Sequence, residues 1–578
     1  MLSDVAPVVR GGTIVDGTGK PPFKADIRIQ GDRIVEIGPD LDTTGCEEID
    51  ATGCHVAPGI IDIHTHYDAA LFWDPRADPI SLHGVTTILI GNCSLGLAPV
   101  RAADVDMLGS LFSYIEDLPR DLFASEIPWN WVSFPQYAAT MRDRPWGVNI
   151  AALVSHSLLR QYEMGGKAWS DPASPDQARA IATTAEAAMV SGAFGISTSR
   201  FDRSPAGDPV PSFHADDAEL GDLFEVVASH GGLVQVIADL SDTETWIRDL
   251  RRFGEHAGRD NVPVVSNGIY QRADYPAQAA ALLEAGRDMQ RDGIPFYHMV
   301  SPRSIELLVS FKQSMLFIYV PAFNEVVQPS LSREEKLSML ADPEWRVRAR
   351  FDWDNMKGGF PSNGAERSLR IIKVGTPANE HYLGKTFDII LDARQGHPAD
   401  VIADWVIEND LEAEFVHRYT NTDPEAVAEL LAAPENVIGA SDAGAHVGMF
   451  DGAGDSTCVL AEYVRDRKAM TIEEAIARMT GDLAQLIGLA DRGIIRTGKI
   501  ADLFVFDLDA LHWAPEIKVT DLPNGHARFR RPAGGIRYTL IGGKIVQQDG
   551  RYLSGLHGRF LGPADRTVAT GVDRSARR

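Results

Sequence analysis

The chain has 578 residues, of which 44% are hydrophobic and 24% are charged, and its formal net charge is −26 at pH 7. This composition is typical of an ordinary globular protein with roughly two to four domain-sized units, and the negative charge argues against nucleic acid and anionic membranes as partners. No apolar run of about 18 residues or more predicts a membrane span, and the N-terminus shows no leader pattern. The four cysteines, Cys46, Cys54, Cys93 and Cys458, are too few and too irregularly spaced for a disulfide framework. We therefore expect a cytoplasmic protein.

Short strands separated by glycine turns are predicted at both ends of the chain. Residues 31–38 alternate between apolar and polar side chains, and residues 538–546 near the other end show the same pattern. Two β-rich ends that flank an α/β middle predict one small β-sandwich built from both termini. We assign residues 1–57 to its first half, residues 491–560 to its second half, and residues 561–578 to a tail.

Between these ends, apolar strand-like runs alternate with helical stretches, which is the pattern of a parallel sheet with crossover helices. Helices are predicted at 175–191, with Ser174 as the cap, and at 216–230. Eight strands with interleaved helices predict a (β/α)₈ TIM-like barrel, whose functional groups lie at the C-terminal ends of the strands. We assign residues 58–300 to strands one to seven and residues 388–490 to strand eight and the closing helices. The predicted strands are 60–66, 85–93, 148–156, 193–200, 233–240, 262–267, 294–300 and 437–442.

Residues 301–387 are too many for a simple connection and predict an inserted cap over the barrel mouth, with a helix at 332–341. The aromatic residues of this insert either line a substrate pocket or, as is more common, form the core of the insert itself. These residues are Phe323, Trp345, Phe351, Trp353 and Phe360.

Two histidines end the first predicted barrel strand. His64 and His66 are separated by one residue, so their side chains point to the same face of a strand. Imidazoles in this arrangement are placed to bind a divalent metal ion, although a strand can also end in two polar residues that bind nothing. Pro58-Gly59 before the strand and Asp68 after it favour the metal. The segment resembles the first barrel strand of the amidohydrolase superfamily, and within it the N-acyl-D-amino-acid deacylase (D-aminoacylase) group.

The resemblance continues over strands two to four. The Gly-Asn-Cys-Ser segment at Cys93 is similar to the Gly-Asn-Cys-Gly segment of the group, in which the cysteine is a metal ligand, and the alternative is a buried small hydrophobe. Residues 155–160 are similar to Gly-His-Gly-Thr-Leu-Arg, and their His156 either faces the substrate or hydrogen-bonds within the barrel wall. Residues 192–200 are similar to the strand-four segment of the group, and Arg200 either binds a substrate carboxylate or forms a loop salt bridge.

Strands five and six depart from the deacylase pattern. The group carries one metal-binding histidine at the end of each strand, where this chain has Ile237 and Asn267. A basic residue that holds the substrate carboxylate in the group is replaced by Ile269. The resemblance therefore implies one metal ion rather than a pair, and it leaves Asn267 as a substrate-binding candidate.

Strand eight restores the match, because an apolar run ends there in Asp442. In the superfamily this aspartate binds the metal and takes the proton of the attacking water. His446 follows, and it either reaches the substrate, orients Asp442 or caps the loop. His64, His66 and Asp442, with Cys93 as a fourth ligand, suit one Zn²⁺ ion with an open position for water, and Mn²⁺, Fe²⁺ and Co²⁺ are alternatives.

The leading hypothesis is metal-dependent hydrolysis of the amide C–N bond of an N-acylated small molecule, such as an N-acyl amino acid, with Asp442 as general base. The first alternative is ring opening of a cyclic amide or imide, which the loss of a basic residue at Ile269 favours. The alternative from another class is a catalytically degenerate homologue that binds a small molecule, because two expected histidines are missing. A small-molecule amide is the expected partner, and we also expect a homo-oligomer.

Overall fold

The computed structural model describes residues 7–273, 275–312, 317, 320–328, 330–356, 365–572 and 574. It contains a parallel barrel with crossover helices, a sheet built from both chain ends and an inserted cap. The predicted fold class is therefore confirmed.

The N-terminal strands form one half of the sheet that joins the two chain ends. They are β1 (Pro7–Ile14), β2 (Phe23–Gln30), β3 (Arg33–Gly38), β4 (Glu47–Asp50) and β5 (His55–Pro58). β1 pairs antiparallel with β2 and parallel with β4 and β5. Along β2 the side chains of Ile27 and Ile29 are buried in the core of this sheet, as the alternation of the sequence predicts.

The first seven barrel strands follow, each parallel to its neighbour. They are β6 (Ile60–Asp62), β7 (Val85–Ile90), β8 (Asn149–Ser155), β9 (Gly195–Ser199), β10 (Leu233–Ile237), β11 (Val264–Ser266) and β12 (Phe296–Val300). β6 was predicted to reach His66 but ends at Asp62, because the following residues leave the ladder with β7.

Helices connect these strands along the chain. They are α1 (Val105–Ile115), α2 (Arg120–Ser125), α3 (Phe134–Arg142), α4 (His156–Met164), α5 (Pro175–Val190), α6 (Asp217–Ser229), α7 (Thr243–Asp260) and α8 (Pro276–Arg291). The two helices predicted beside strand four are α5 and α6. Ser174 caps α5 by accepting a hydrogen bond from the Gln177 N–H, and Asp216 caps α6 by accepting from the Glu219 N–H.

The inserted cap has a small sheet and several helices. They are β13 (Ile305–Ser310), α9 (Pro321–Val326), α10 (Arg333–Ala341), α11 (Pro343–Asn355), β14 (Arg370–Lys373), α12 (Asp388–Arg394), α13 (Pro398–Glu408) and β15 (Glu414–Thr420). β15 lies between β13 and β14 and is antiparallel to both. Ser332 caps α10, which is the helix predicted at 332–341.

The cap has a hydrophobic core of its own, which contains Phe323, Trp345 and Trp353. Phe351 is instead 67% exposed, and Phe360 lies outside the described residues. Residues of α12, α13 and β15 share the same core, so the insert continues to Thr420, beyond the predicted limit at 387.

The chain then returns to the barrel. The elements are α14 (Pro424–Ala432), β16 (Asn436–Ile438), α15 (Asp455–Cys458), a π-helix (Val459–Asp466), α16 (Ile472–Met479) and α17 (Gly481–Ile487). In the described part of the chain the barrel sheet has the order β16-β12-β11-β10-β9-β8-β7-β6. A parallel bridge between Thr65 and Ala443 joins strand one to strand eight and so completes the curl.

The C-terminal strands complete the sheet of the two termini. They are β17 (Leu503–Phe506), β18 (Ile517–Val519), β19 (Arg528–Arg530), β20 (Ile536–Ile541), β21 (Lys544–Gln548) and β22 (Arg551–Tyr552). β17 lies between β5 and β20 and is antiparallel to both. Beyond them, Leu561 and Ala569 pack into the core inside the barrel, so much of the segment predicted as a tail is part of the folded core.

Apolar side chains fill the barrel interior, among them Ile61, Leu153, Val265 and Met299. Polar side chains therefore concentrate where the strands end. No helix among the described residues has both the length and the apolar composition of a membrane span. The four cysteines are unpaired, which agrees with the prediction that they form no disulfide framework.

Candidate metal centre

The seam that closes the barrel lies at the two histidines of strand one. The Asp442 N–H donates to the His64 carbonyl at 3.1 Å, and the His66 N–H donates to the Ala443 carbonyl at 2.8 Å. The Ser441 hydroxyl adds a bond to the same His64 carbonyl at 3.2 Å. Two segments almost four hundred residues apart in the sequence are thus held in register at the level of these side chains.

Four predicted ligands come together at this seam. Asp442 Oδ1 lies 3.4 Å from His64 Nε2 and 3.4 Å from His66 Nε2. Cys93 Sγ lies 3.2 Å from His64 Nε2, and the donor atoms of His64, His66 and Cys93 all lie within 4.8 Å of one another. Two imidazoles, a thiol and a carboxylate at these separations are the donor set of a zinc-type site, so the residues fit the implied divalent ion.

The ligands differ in how much solvent they meet. The His66 side chain is 1% exposed, whereas the Asp442 side chain is 29% exposed. Asp442 therefore forms the more accessible side of the cluster.

Backbone conformation at the site is strained. Cys93 and Ser94 have φ angles of 56° and 59°, and Asp442 and His446 have φ angles of 59° and 49°. Left-handed conformations cost energy for residues with a Cβ atom and cluster at functional sites. Two of these residues, Cys93 and Asp442, are predicted metal ligands.

Side chains from strands four and five and from the start of α4 hold the Cys93 loop in place. The Cys93 N–H donates to Gln235 Oε1 at 2.9 Å, and the Ser94 N–H donates to Ser197 Oγ at 3.0 Å. The Ser94 hydroxyl also donates to Ser157 Oγ at 2.9 Å. Burial raises the pKa of the Cys93 thiol well above its ordinary value, and nearby carboxylates add to the effect. Only a cation beside the sulfur would favour the thiolate here.

The pKa of Asp442 is shifted in the opposite direction from that of Cys93. Burial alone would raise the pKa of Asp442, but the hydrogen bonds with His64 and His66 lower it well below its ordinary range. A carboxylate is therefore present at neutral pH to bind a cation or accept a proton.

A second acidic residue, Glu116, lies at the centre and was not predicted from the sequence as a site residue. It follows α1, its side chain is 2% exposed, and its Oε1 lies 3.3 Å from His66 Nδ1. Glu116 Oε2 lies 3.9 Å from His446 Nε2, which in turn lies 3.6 Å from Asp442 Oδ2. Nothing in the local sequence marks this glutamate, because its role depends on where the loop after strand two folds back.

Other acids surround the cluster. Burial raises the pKa of Asp68 to about 7 and that of Asp202 to about 6. The Ser199 hydroxyl donates to Asp202 Oδ2 at 2.6 Å. When ionised, these buried acids give the barrel mouth a negative potential that favours a cation.

Arg303 forms a hydrogen bond with the residue that precedes Asp442 at the end of strand eight. Its Nη2 donates to the Ser441 carbonyl at 2.6 Å, and its Nε donates to Asp455 Oδ1 at 2.9 Å. The guanidinium is 2% exposed, so this buried pair fixes the residue that precedes Asp442.

Ile237 and Asn267, predicted to stand where the deacylases carry histidines, lie at the ends of strands five and six. Ile237 and Gln235 lie on one face of β10 by strand alternation, and Gln235 reaches into the barrel to Cys93. Asn267 likewise continues the face of Val265, which packs inside the barrel. Isoleucine offers no donor atom, and Ile269 is fully buried.

Two predicted substrate-binding residues do not join the cluster. His156 is fully buried in the barrel wall, where its Nδ1 pairs with Thr198 Oγ1 at 2.9 Å and its Nε2 with Glu219 Oε1 at 2.7 Å. Arg200 donates to Asp249 Oδ2 at 2.8 Å, which is the loop salt bridge of the alternative interpretation. The other two, Asn267 and His446, lie at the barrel mouth.

Comparison with known proteins identifies the family. A model of the amidohydrolase family matches residues 47–292 and 362–547. The chain belongs to the amidohydrolase family. This result confirms the resemblance found in the sequence and the predicted enzyme class, a metal-dependent amidohydrolase acting on carbon–nitrogen bonds other than peptide bonds.

Several proteins similar to this chain are named as deacylases. The D-aminoacylase of Alcaligenes xylosoxydans xylosoxydans is 27% identical over 568 residues, which cover 96% of this chain and 97% of that protein. A solved D-aminoacylase structure with a binuclear metal centre, one metal activating and the second attenuating, has 25% identity and a TM-score of 0.66, covering 96% of this chain and 99% of that one. The fold is shared by an N-acyl-D-glutamate deacylase from Bordetella bronchiseptica, whose structure was solved with zinc and a phosphonate inhibitor. It is 22% identical with a TM-score of 0.66, and the match covers 97% of this chain and 100% of that one.

Proposed function

We propose that this amidohydrolase cleaves the amide C–N bond of an N-acylated small molecule of the N-acyl amino acid type. The observation that carries the proposal is the convergence of His64, His66, Cys93 and Asp442 at the barrel seam, with contacts of 3.2–3.4 Å. The substrate class is supported by relatives that are named D-aminoacylase, N-acyl-D-aspartate deacylase and N-acyl-D-glutamate deacylase.

His64, His66, Cys93 and Asp442 would hold one divalent ion, with zinc as the first choice because thiolate, imidazole and carboxylate suit it. When bound, such an ion supplies Lewis acidity, which polarises a carbonyl group and lowers the pKa of water. The negative potential of the mouth and the strained loops of the ligands prepare the site for it.

Asp442 is the general base of the proposed reaction. Its Oδ1 faces the two histidines, so Oδ2 is the oxygen directed elsewhere, toward His446 at 3.6 Å. Because the carboxyl group stays ionised at neutral pH, it takes a proton from the attacking water and returns it to the leaving nitrogen. His446 is placed to hold Asp442 or the substrate, and Asn267 lies at the same mouth.

The proposal of one metal ion is tested by elemental analysis of protein purified without added metal. We expect about one equivalent per chain, lost in His64→Ala and Asp442→Ala, since Ile237 and Asn267 supply no second set of histidines. Two equivalents would contradict the single-metal proposal. No metal after reconstitution with zinc or manganese would contradict the hydrolase and favour the binding homologue.

The substrate class is tested by release of primary amine from a panel of N-acetyl D- and L-amino acids. We expect turnover by the metal-loaded wild type, and a decrease in kcat of roughly 10²–10⁴-fold in Asp442→Asn. The Arg200→Gln variant is the control, because Arg200 is paired with Asp249 outside the cluster.

A second candidate is ring opening of a cyclic amide or imide. The observation that favours it is the buried Ile269, which stands where a carboxylate-binding base is expected. Hydrolysis of dihydrouracil or hydantoin with no turnover of the N-acetyl panel would select this candidate.

A further inference from the structure

Glu116 has no assigned part in the reaction, although it is one of the most buried acids near the centre. It is the residue at which α1 ends, and its side chain is 2% exposed. Among the described residues its ion-pair partners are two histidines, His66 and His446, and no lysine or arginine approaches it. Its Oε2 has no hydrogen-bond partner in the described chain.

Such a placement costs stability. A carboxylate removed from water without a cationic partner loses hydration that two neutral imidazoles do not restore. Glu116 therefore cannot be explained as a stabilising ion pair, in contrast to the buried Arg303–Asp455 pair behind strand eight. Groups that a fold retains at a cost are found at functional sites.

Glu116 lies beside one of the two ring nitrogens of His66. The two ring nitrogens of His66 face opposite ways, with Nε2 at 3.4 Å from Asp442 Oδ1 and Nδ1 at 3.3 Å from Glu116 Oε1. His66 Nδ1 makes no hydrogen bond in the described residues, so the Glu116 carboxyl group at 3.3 Å is its ion-pair partner there. A carboxylate beside Nδ1 favours the ring proton on that nitrogen and leaves the lone pair of Nε2 for the metal side, as second-sphere carboxylates do for histidine ligands.

The same carboxylate also reaches the loop after strand eight. Its Oε2 lies 3.9 Å from His446 Nε2, and its backbone carbonyl accepts a hydrogen bond from the Val447 N–H at 3.3 Å. His446 has a left-handed φ angle of 49°, so this loop needs support from outside. Glu116 thus contacts a strand-one histidine and a strand-eight histidine across the barrel seam.

We propose that Glu116 is a positioning residue of the metal centre, whose carboxylate sets the ring orientation of His66 and holds His446 beside Asp442. The inference rests on the proposed function, because it assumes that a metal ion binds at this cluster. It concerns metal affinity rather than chemistry, so it can be tested without a substrate.

The test is the affinity of the purified apo protein for Co²⁺, measured by competition with a chromophoric chelator and by the visible absorption of the bound ion. We expect Glu116→Ala to weaken Co²⁺ binding by about 10–100-fold and to alter the visible band, because loss of a second-sphere carboxylate changes the ligand field of His66. Glu116→Gln retains the volume and one acceptor oxygen but cannot ionise, so its Co²⁺ affinity should fall between those of the alanine variant and the wild type.

Asp117→Asn is the matched control. Asp117 is the next residue, burial raises its pKa to about 7, and its Oδ2 has no hydrogen-bond partner in the described chain. No ion pair to a histidine is formed by Asp117 in the described structure. We expect its Co²⁺ affinity to equal that of the wild type, and an equal loss in Asp117→Asn and Glu116→Gln would overturn the proposal.

A double-mutant cycle with His66→Ala separates positioning from a purely structural role. If Glu116 acts through His66, the penalty of Glu116→Ala should largely disappear when His66 is already absent. Additive penalties would overturn the inference while leaving the metal site intact. Failure of the wild type to bind Co²⁺ would instead overturn the proposed function, and the inference with it. If the alanine variant does not fold, the glutamine variant carries both measurements.

Discussion

His83 is a histidine whose buried surroundings disfavour its protonated form. It is 1% exposed, its Nδ1 pairs with Thr457 Oγ1 at 2.9 Å, and its Nε2 has no hydrogen-bond partner among the described residues. Gly454 and Gly534 pack against the ring so closely that a Cβ atom there would lie 3.0–3.1 Å from it. Burial, with help from Arg531, lowers the pKa of His83 from 6.5 to about 3.

This shift predicts acid destabilisation. Between pH 6.5 and 3 the unfolded chain binds a proton that the native state excludes, so the contribution of His83 to stability is complete above pH 6.5 and is lost as the pH falls toward 3. From pH 7 to pH 4.5, the free energy of unfolding should fall by about 3 kcal/mol more in the wild type than in His83→Gln. Urea unfolding at both pH values measures this. Equal decreases in the two proteins would contradict it, and substitution of the exposed His381 should leave the wild-type decrease unchanged.

Single residues also show where sequence reasoning reaches its limit at the site. His64, His66, Cys93 and Asp442 were predicted because each belongs to a short motif at a strand end, and the structure brings them together. Glu116 has no motif around it, and only the tertiary fold brings it to His66. A local motif identifies residues that can bind a metal, but it does not show which distant residues the fold will place beside them.

At the scale of elements, α4 and α6 are joined by a buried polar triad. Glu219 on α6 pairs with His156 at 2.7 Å and also with Arg160, and the side chains of all three are at most 1% exposed. Both partners, His156 and Arg160, lie on α4. Glu219 therefore supplies the counterion for the positive charge of Arg160, which is buried between the two helices.

Removal of this carboxylate should destabilise the helix pair. We expect Glu219→Ala to lower the free energy of unfolding by about 3–5 kcal/mol, because Arg160 would remain buried without a counterion. Chemical denaturation checks this, with Glu225→Ala on the exposed face of the same helix as the control, where the change should stay within about 0.5 kcal/mol. Unchanged stability of Glu219→Ala would show that the triad is not structural and would reopen a substrate role for His156.

The order of elements was predictable to a large extent. Buried parallel strands are short apolar runs between glycine and helix signals, and all eight were located in the sequence, because burial on both faces leaves little choice of residue. The cap sheet was not predicted. Its central strand β15 pairs with β13 across about a hundred residues of helical insert, and such pairing leaves no local periodicity to read.

At the scale of the whole molecule, the C-terminal segment that contains Leu561 and Ala569 packs against the core inside the barrel. The Leu561 side chain is fully buried in the core inside the barrel, and its N–H donates to the Ile150 carbonyl at 2.8 Å. Residues far from the barrel strands in sequence thus complete the barrel core.

A cavity at this position should be costly. Leu561→Ala should lower the free energy of unfolding by about 2–5 kcal/mol, because the rigid surroundings cannot collapse into the space. Val568→Ala in the same segment removes a side chain that is 66% exposed and should change stability by no more than about 0.5 kcal/mol. Thermal or urea unfolding of the two variants makes the comparison, and equal stabilities would show that the segment only rests on the barrel surface.

The pairing of β5 with both β1 and β17 has a consequence for biosynthesis. The ribosome makes roughly 450 further residues before the second neighbour of β5 exists, which takes on the order of 20–90 s at about 5–20 residues per second. For that time the nascent chain presents an open β-strand edge, which is a template for pairing with other chains. Completion of the last strands therefore ends the period in which a newly made molecule is most prone to aggregate, and chains that terminate before Leu503 keep this edge open.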